Sequence, residues 1–232
     1  MNIDTGSALK EYIQAHPAKI GKVVDFDRSK DRLLRFNFTE TNTLLSPATI
    51  ADTALFSQWV EDELKTTQSR YGIGGYDEHR TIYARSSHFD SEAEARRLHL
   101  GVDIWGPAGT PVYNPIDAKV HSFQFNDHFG DYGATIILEH QLNGHKIHSL
   151  YGHLNLASLK GLREGQVIPK GEKFAEFGIP AENGHWPPHL HFQLIVDMQH
   201  FKGDYPGVCR FSEKAEFLEN SPDPNDILAF TF

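Results

Sequence analysis

Residues 189–196 read HLHFQLIV, and this stretch decides the fold that the sequence predicts. Successive side chains of a β-strand point to opposite faces. One face would carry Leu190, Phe192, Leu194 and Val196. The other would carry His189, His191 and Gln193. Histidines two residues apart stand ~6.6 Å apart along a strand, so both imidazoles can point at one small site. A polar strand face turned to solvent explains the same pattern.

Short β-rich runs precede this strand. They are residues 101–105, 111–121, 133–139, 146–152, 166–168 and 173–178. Gly-Pro, Asn-Gly and Pro-Lys-Gly turn signals separate the runs, and no convincing helix pattern intervenes. We therefore predict a mainly β fold, with an antiparallel β sandwich or barrel-like domain over residues 86–200.

The regions on either side of this domain show other sequence patterns, including helical ones. Residues 7–16 predict a short helix that ends at Pro17, and residues 47–67 predict an amphipathic helix that begins at Ser46-Pro47. We therefore predict a mixed α+β N-terminal extension over residues 1–85. The proline-containing residues 201–232 predict a tail that packs on the core.

Composition narrows the functional classes. The chain has 232 residues, 39% of them apolar, and a net charge of -9 without a basic run, which argues against nucleic acid as a partner. No segment is long enough to cross a bilayer, and no signal peptide is visible, so we expect a cytoplasmic protein without a membrane partner. With Cys209 as the single cysteine, histidines and carboxylates would have to hold any transition metal.

A second candidate motif is His99-Leu100-Gly101-Val102-Asp103. In an extended strand His99 and Asp103 would stand ~13 Å apart, too far to share one ion, but a bend at Gly101 would bring them together. Taken by itself, the motif is better explained by a loop histidine and a turn aspartate without a metal. Combined with a histidine of residues 189–191, the motif would form a site of two histidines and one carboxylate, which is typical of catalytic zinc.

Four blocks in order carry a resemblance to a known family. They are HLGVDIWGPAGTPVYNPIDAKV from His99, SLYGHL from Ser149, GQVIPKGEKFAEFG from Gly165 and PPHLHFQL from Pro187. Together they resemble peptidase family M23, the lysostaphin-like zinc endopeptidases. The resemblance implies a small antiparallel β domain that holds its metal in a groove.

The resemblance also implies roles for individual residues. The zinc ligands fall on His99, Asp103 and His191, with one zinc ion per chain. The catalytic histidines fall on His153 and His189, and which of the two is the general base stays open. The function implied is zinc-dependent hydrolysis of an amide or peptide bond in a peptide-like or small amide substrate.

The chain also departs from the family pattern. The loop FGIPAENGHWPP before the His-x-His strand is bulky, and Gln193 stands where glutamate is frequent. The loop and the tail resemble M23 modules that are found with class III aminotransferases. As substrate-binding residues we predict Arg80, Tyr83 and Trp186, with Arg80 contacting a substrate carboxylate. The stretch from Tyr71 to Arg80 is explained as well by a glycine-rich linker in which Arg80 forms a structural salt bridge.

Two other functions fit the same residues. One is an inactive M23-like module that binds a partner or ligand, and the other is a non-hydrolytic enzyme with manganese, iron or nickel in the same site. The oligomeric state cannot be derived from the sequence.

Overall fold

The computed structural model describes residues 5–90 and 94–231. Its strands are β1 (Leu33–Arg35), β2 (Tyr71–Gly74), β3 (Leu98–His99), β4 (Val102–Trp105), β5 (Pro111–Tyr113), β6 (Ala118–Asn126), β7 (Gly133–Leu142), β8 (His145–Leu154), β9 (Val167–Ile168), β10 (Lys173–Glu176), β11 (His189–Ile195) and β12 (Val208–Cys209). Its α-helices are α1 (Thr5–Ala15), α2 (Pro47–Ala51), α3 (Thr53–Thr67), α4 (Lys214–Asn220) and α5 (Asn225–Leu228). Short 3₁₀ helices cover Pro17–Lys19, Ile82–Arg85, Ser87–Phe89, Leu156–Leu159 and Phe211–Glu213.

One eight-stranded sheet organises the fold, in the order β1-β2-β4-β11-β8-β7-β6-β9. All neighbours in this sheet pair antiparallel except β1 and β2, which pair parallel, so the sheet is mixed. Two further antiparallel pairs, β10 with β5 and β12 with β3, stand beside it. The predicted mainly β fold is confirmed.

Strand β11 divides its side chains between two environments, as its alternating pattern predicts. Leu190, Phe192 and Leu194 belong to the main apolar cluster of the core. The polar face, with His189, His191 and Gln193, is also buried, at 3% exposure or less. The face that could have been turned to solvent therefore lies inside the protein, where polar groups need partners.

The predicted helix over residues 47–67 is divided into α2 and α3. Asp52 between them has an extended backbone, with φ -98° and ψ 116°. Its side chain accepts hydrogen bonds from the backbone N–H groups of Ala54 and Leu55, which caps α3 at its first turn. The aspartate thus ends one helix and begins the next.

Strand β2 lies in a stretch whose glycines predict a turn or linker. A Cβ atom on Gly72 would lie only 2.0 Å from the Phe36 ring, so the glycine permits close packing within the sheet. Through β1 and β2 the N-terminal region is continuous with the sheet. The division into 1–85, 86–200 and 201–232 stays a prediction.

Candidate metal centre and active site

Three side chains from distant parts of the chain converge on one point. The pairing of β11 with β4 sets His191 directly opposite Asp103, and His99 enters from β3. Nε2 of His99 and Nδ1 of His191 lie 3.0 Å apart, and Oδ1 of Asp103 lies 3.2 Å from the first and 3.0 Å from the second. The structure thus brings together the three residues that were predicted as metal ligands.

Hydrogen bonds determine which nitrogen each histidine presents. Nδ1 of His99 lies 2.8 Å from the carbonyl oxygen of Gly75, which only accepts, so this nitrogen carries the proton and Nε2 keeps its lone pair. Nε2 of His191 donates to Oε1 of Gln193 at 2.9 Å. The amide nitrogen of Gln193 donates to the Pro206 carbonyl oxygen, which fixes the orientation of the amide group. In the neutral ring, Nδ1 of His191 therefore also presents a lone pair.

This donor set suits a divalent cation. Two lone pairs and a carboxylate oxygen face one another across 3.0–3.2 Å. Donors around a tetrahedral zinc ion with bonds near 2.0 Å stand roughly 3.3 Å apart, which is close to the observed spacing. Burial, reinforced by the nearby Arg80 charge, lowers the pKa of His99 to about 3, so its ring is neutral.

Arg80, one of the predicted substrate-binding residues, is fully buried beneath this centre. Its guanidinium donates to Oδ2 of Asp103, to Oε2 of Glu78 at 2.7 Å, to the Tyr83 hydroxyl at 3.2 Å and to the Gly75 carbonyl at 3.1 Å. These contacts favour a role inside the protein. Its contact with a substrate carboxylate stays a prediction.

Burial alone would raise the pKa of the Asp103 carboxyl group. The neighbouring His99 ring and Arg80 guanidinium outweigh that effect and hold the pKa well below its usual range. The carboxylate is therefore ionised at neutral pH and supplies the negative charge of the centre.

The two predicted catalytic histidines lie beside each other, with ring centroids 4.0 Å apart. Each donates a proton from Nδ1 to a backbone carbonyl at 2.8 Å: His153 to Asn183 and His189 to Pro187. Both carbonyls belong to the bulky loop that departs from the family pattern. The His189 ring also stacks on Trp105, with centroids 3.9 Å apart. Both Nε2 atoms are left with lone pairs.

His153 reaches the site through an unusual backbone conformation. Its φ of 62° lies in the left-handed region, which few residues other than glycine adopt. This turn at the end of β8 interrupts the regular alternation of side chains. Burial lowers the pKa of His153 well below its usual range and that of His189 to about 4, so both rings are neutral and can accept a proton.

A cavity of about 230 Å³ adjoins these side chains. Its wall includes Tyr83, Asp103, Trp105, Tyr132, His153, Trp186, His189 and His191. Trp186 packs edge to face against His153 and His189, with centroids 6.4 and 6.3 Å away. Its indole N–H is buried without a hydrogen-bond partner among residues 5–90 and 94–231. Tyr83 and Trp186 thus line the cavity, and their substrate contacts stay predictions.

Three residues of the site were not assigned a role from the sequence. Gln193 and Trp105 each follow a proposed ligand, His191 and Asp103, by two residues on the same strand. A period of two places each on the same strand face as that ligand, so this signal could have found them. Tyr132, whose hydroxyl lies 3.4 Å from Nε2 of His191, precedes β7 and gave no comparable signal.

Gly101 provides a test of how tightly the centre is packed. A Cβ atom here would lie 2.6 Å from Cε1 and 2.7 Å from Nε2 of His191, and 2.8 Å from the Phe192 carbonyl oxygen. We expect Gly101→Ala to displace the His191 ring and weaken zinc binding by at least about tenfold, the lower end of what changes around ligands cost. Titration of metal-free protein with zinc measures the effect.

Gly75→Ala is the matched control for this substitution. Gly75 borders the same centre, but a Cβ atom there meets nothing nearer than the Glu78 Cβ at 3.9 Å, and its carbonyl group is retained. We expect wild-type zinc affinity in Gly75→Ala. Equal affinity of the two alanine variants would refute the packing argument.

Part of this chain is similar to known proteins. The sequence model of Peptidase family M23 matches residues 97–202. An L-Ala–D-Glu endopeptidase of Bacillus subtilis is 30% identical over 125 residues, which are 51% of this chain and 36% of that protein. The peptidoglycan DD-endopeptidase ShyA of Vibrio cholerae is 28% identical over 137 residues, which are 56% of this chain and 29% of that protein. The chain thus spans about a third of the length of these relatives.

Among solved structures, the catalytic domain of lysostaphin from Staphylococcus simulans aligns with a TM-score of 0.40 and 19% identity. The alignment covers 69% of this chain and 96% of that domain.

The predicted cytoplasmic location is wrong in the light of these relatives. One of them is named for peptidoglycan, which lies outside the cytoplasmic membrane. The prediction rested on the composition of the first residues of the sequence, and that composition does not determine where the folded domain works. Among the described residues, no helix has the length and apolar character needed to cross a bilayer.

Proposed function

Because residues 97–202 of this chain are a domain of peptidase family M23, we propose that the chain is a zinc-dependent hydrolase that cleaves a peptide or related amide bond. The observation that carries the proposal is the convergence of His99, Asp103 and His191 on one point. Two further histidines with free Nε2 lone pairs line the cavity beside them. This combination supplies both a metal centre and groups that can move protons.

In this proposal His99 and His191 would hold the ion through Nε2 and Nδ1, and Asp103 through Oδ1. Bound zinc supplies Lewis acidity, which lowers the pKa of water and polarises a carbonyl group. Gly75 and Gln193 keep the two histidine rings oriented by accepting their other N–H groups. The buried Asp103 carboxylate, held ionised, offsets part of the cation's charge.

His153 and His189 are proposed to handle the protons. Their Nδ1–H groups are bound to backbone carbonyls, so each ring can accept a proton only at Nε2. One ring would take a proton from the attacking water as general base. The other would donate to the oxyanion of the tetrahedral intermediate once it carries a second proton, which burial disfavours and the developing negative charge favours. Which ring has which role stays open.

The substrate we propose is peptide-like. The relatives that support this are named for L-Ala–D-Glu and DD-endopeptidase activities, so fragments of cell-wall peptides are the first substrates to test. The indole N–H of Trp186 at the cavity wall, which has no hydrogen-bond partner in the described part of the chain, would suit a substrate carbonyl group. Tyr83 would line the same cavity.

The test is metal removal. We expect protein stripped with a chelator to lose cleavage of cross-linked cell-wall peptides and glycine-rich peptides, and one equivalent of zinc to restore it, because the charge stabilisation and the activated water depend on the ion. Mass spectrometry of the products identifies the bond that is cleaved.

Two outcomes would favour a different function. Zinc-loaded protein that cleaves none of these peptides would favour the inactive binding module. Elemental analysis that finds manganese, iron or nickel in place of zinc would favour the non-hydrolytic metal enzyme.

A further inference from the structure

Arg80 is a buried cation, and each of its three side-chain nitrogens donates to a partner within the protein. Its side chain has no exposed surface. Nε donates to Glu78, Nη1 donates to Asp103 and Tyr83, and Nη2 donates to the Gly75 carbonyl. A buried charge is costly unless it is paired and hydrogen-bonded, and these four partners meet that need. These four contacts together hold the guanidinium in its position.

The two oxygens of the Asp103 carboxylate have different partners. Oδ2 accepts from Arg80, while Oδ1 lies 3.0 Å from Nδ1 of His191 and 3.2 Å from Nε2 of His99. A guanidinium is planar and presents its donors in a rigid fork, so it restricts rotation of the carboxylate. Oδ1 is therefore the oxygen that is kept facing the two histidines.

One backbone carbonyl joins this arginine to a second ligand. The Gly75 oxygen accepts from Nδ1 of His99 at 2.8 Å and from Nη2 of Arg80 at 3.1 Å. The orientation of the His99 ring and the position of the guanidinium thus depend on the same group. Any movement of Arg80 would act on two of the three converging side chains.

The charges around Arg80 also favour a cation. The guanidinium carries +1, and the carboxylates of Glu78 and Asp103, both bonded to it, carry -1 each. The three groups together therefore have a net charge of -1 next to the facing nitrogens of His99 and His191. A divalent ion placed there is attracted, and Glu78 relieves the repulsion that Arg80 alone would exert on it.

We propose that Arg80 is a positioning residue of the metal centre, which holds Asp103 so that only Oδ1 can meet the ion. The inference rests on the proposed function, because it presupposes that His99, Asp103 and His191 bind zinc. In this proposal Arg80 does not contact the ion. It acts through Asp103 and through the carbonyl that orients His99.

The test is Arg80→Lys in the full chain. Lysine keeps the positive charge but offers a flexible point donor in place of the fork, so it cannot hold Oδ2 and the other partners at once. We expect zinc to bind roughly 10–100-fold more weakly, the usual effect of losing a partner of a metal ligand. We also expect the absorption bands of bound Co²⁺ to change, because the carboxylate can rotate. Competition with a chromophoric chelator measures the affinity without any substrate.

Arg85→Lys is the matched control. Arg85 is a partly buried arginine of the same region, with the centroids of the Trp186 and Phe129 rings within 5 Å of its guanidinium carbon, and it donates to Thr53 rather than to a ligand. We expect wild-type affinity and a wild-type Co²⁺ spectrum. The same values in Arg80→Lys would overturn the inference, whereas a wild-type protein that binds no zinc would overturn the proposed function itself.

Glu78→Gln keeps the inference testable if Arg80→Lys does not fold. It removes the carboxylate that holds Nε of Arg80 and leaves the arginine and the ligands in place. We expect weaker zinc binding in the same direction, by a smaller factor than in Arg80→Lys. Unchanged affinity would contradict the positioning role. A raised KM with unchanged zinc affinity in either variant would instead support the substrate contact.

Discussion

Asp103→Ala loses bound zinc and hydrolytic activity together: this is the largest effect that we expect. The substitution removes the one anionic donor of the centre and leaves the two imidazoles. The loss of affinity should exceed the roughly 100-fold that removal of a ligand's partner costs, because a ligand itself is gone. Elemental analysis of the purified variant and its turnover of cell-wall peptides measure the two losses.

The same substitution leaves Arg80 without one of its carboxylate partners. Breaking a buried ion pair costs about 3–5 kcal/mol of stability, so Asp103→Ala should also melt at a lower temperature. Asp103→Asn separates the effects, since its amide oxygen can still accept from Arg80 while the charge is removed. Asp131→Asn, at another aspartate of the cavity wall, is the control and should keep its zinc. Full zinc occupancy in both Asp103 variants would contradict the ligand assignment.

His189→Ala gives the second large effect: zinc is retained and turnover falls. The three converging atoms belong to other residues, so the metal centre stays complete. Turnover loses the contribution of a positioned acid or base, roughly 10²–10⁴-fold. Steady-state kinetics together with elemental analysis of the same preparation test both parts.

His148→Ala is the matched control for this variant. His148 is a buried histidine on β8, but it packs against His121 and approaches Glu139, away from the cavity residues. We expect its turnover to stay near the wild-type value. If His189→Ala instead loses the ion, His189 is a ligand and the roles of residues 189 and 191 are exchanged.

Several features follow from local sequence alone. Alternation with a period of two in β11 places His189, His191 and Gln193 on one face and the apolar residues in the core, as observed. The single cysteine limits the metal donors to histidines and carboxylates. These features need only the geometry of an extended chain and the chemistry of the side chains.

Other features were wrong or missing, each for a separate reason. The helix over residues 47–67 is interrupted by the capping side chain of Asp52, a choice that a helical period does not show. Strand β2 was not predicted, because glycines are typical of a turn or linker. In the structure they instead permit close packing against Phe36. The location was wrong because composition at one end of a sequence does not report the compartment.

The sequence by itself determined that the fold is mainly β and which side chains could bind a metal, because side-chain alternation and donor chemistry are local properties. Only the tertiary structure decided that Asp103 stands opposite His191, which nitrogen of each histidine faces the common point, and that Arg80 lies beneath the centre. Cross-strand register and buried hydrogen bonds join residues far apart in the chain, and no short pattern encodes them.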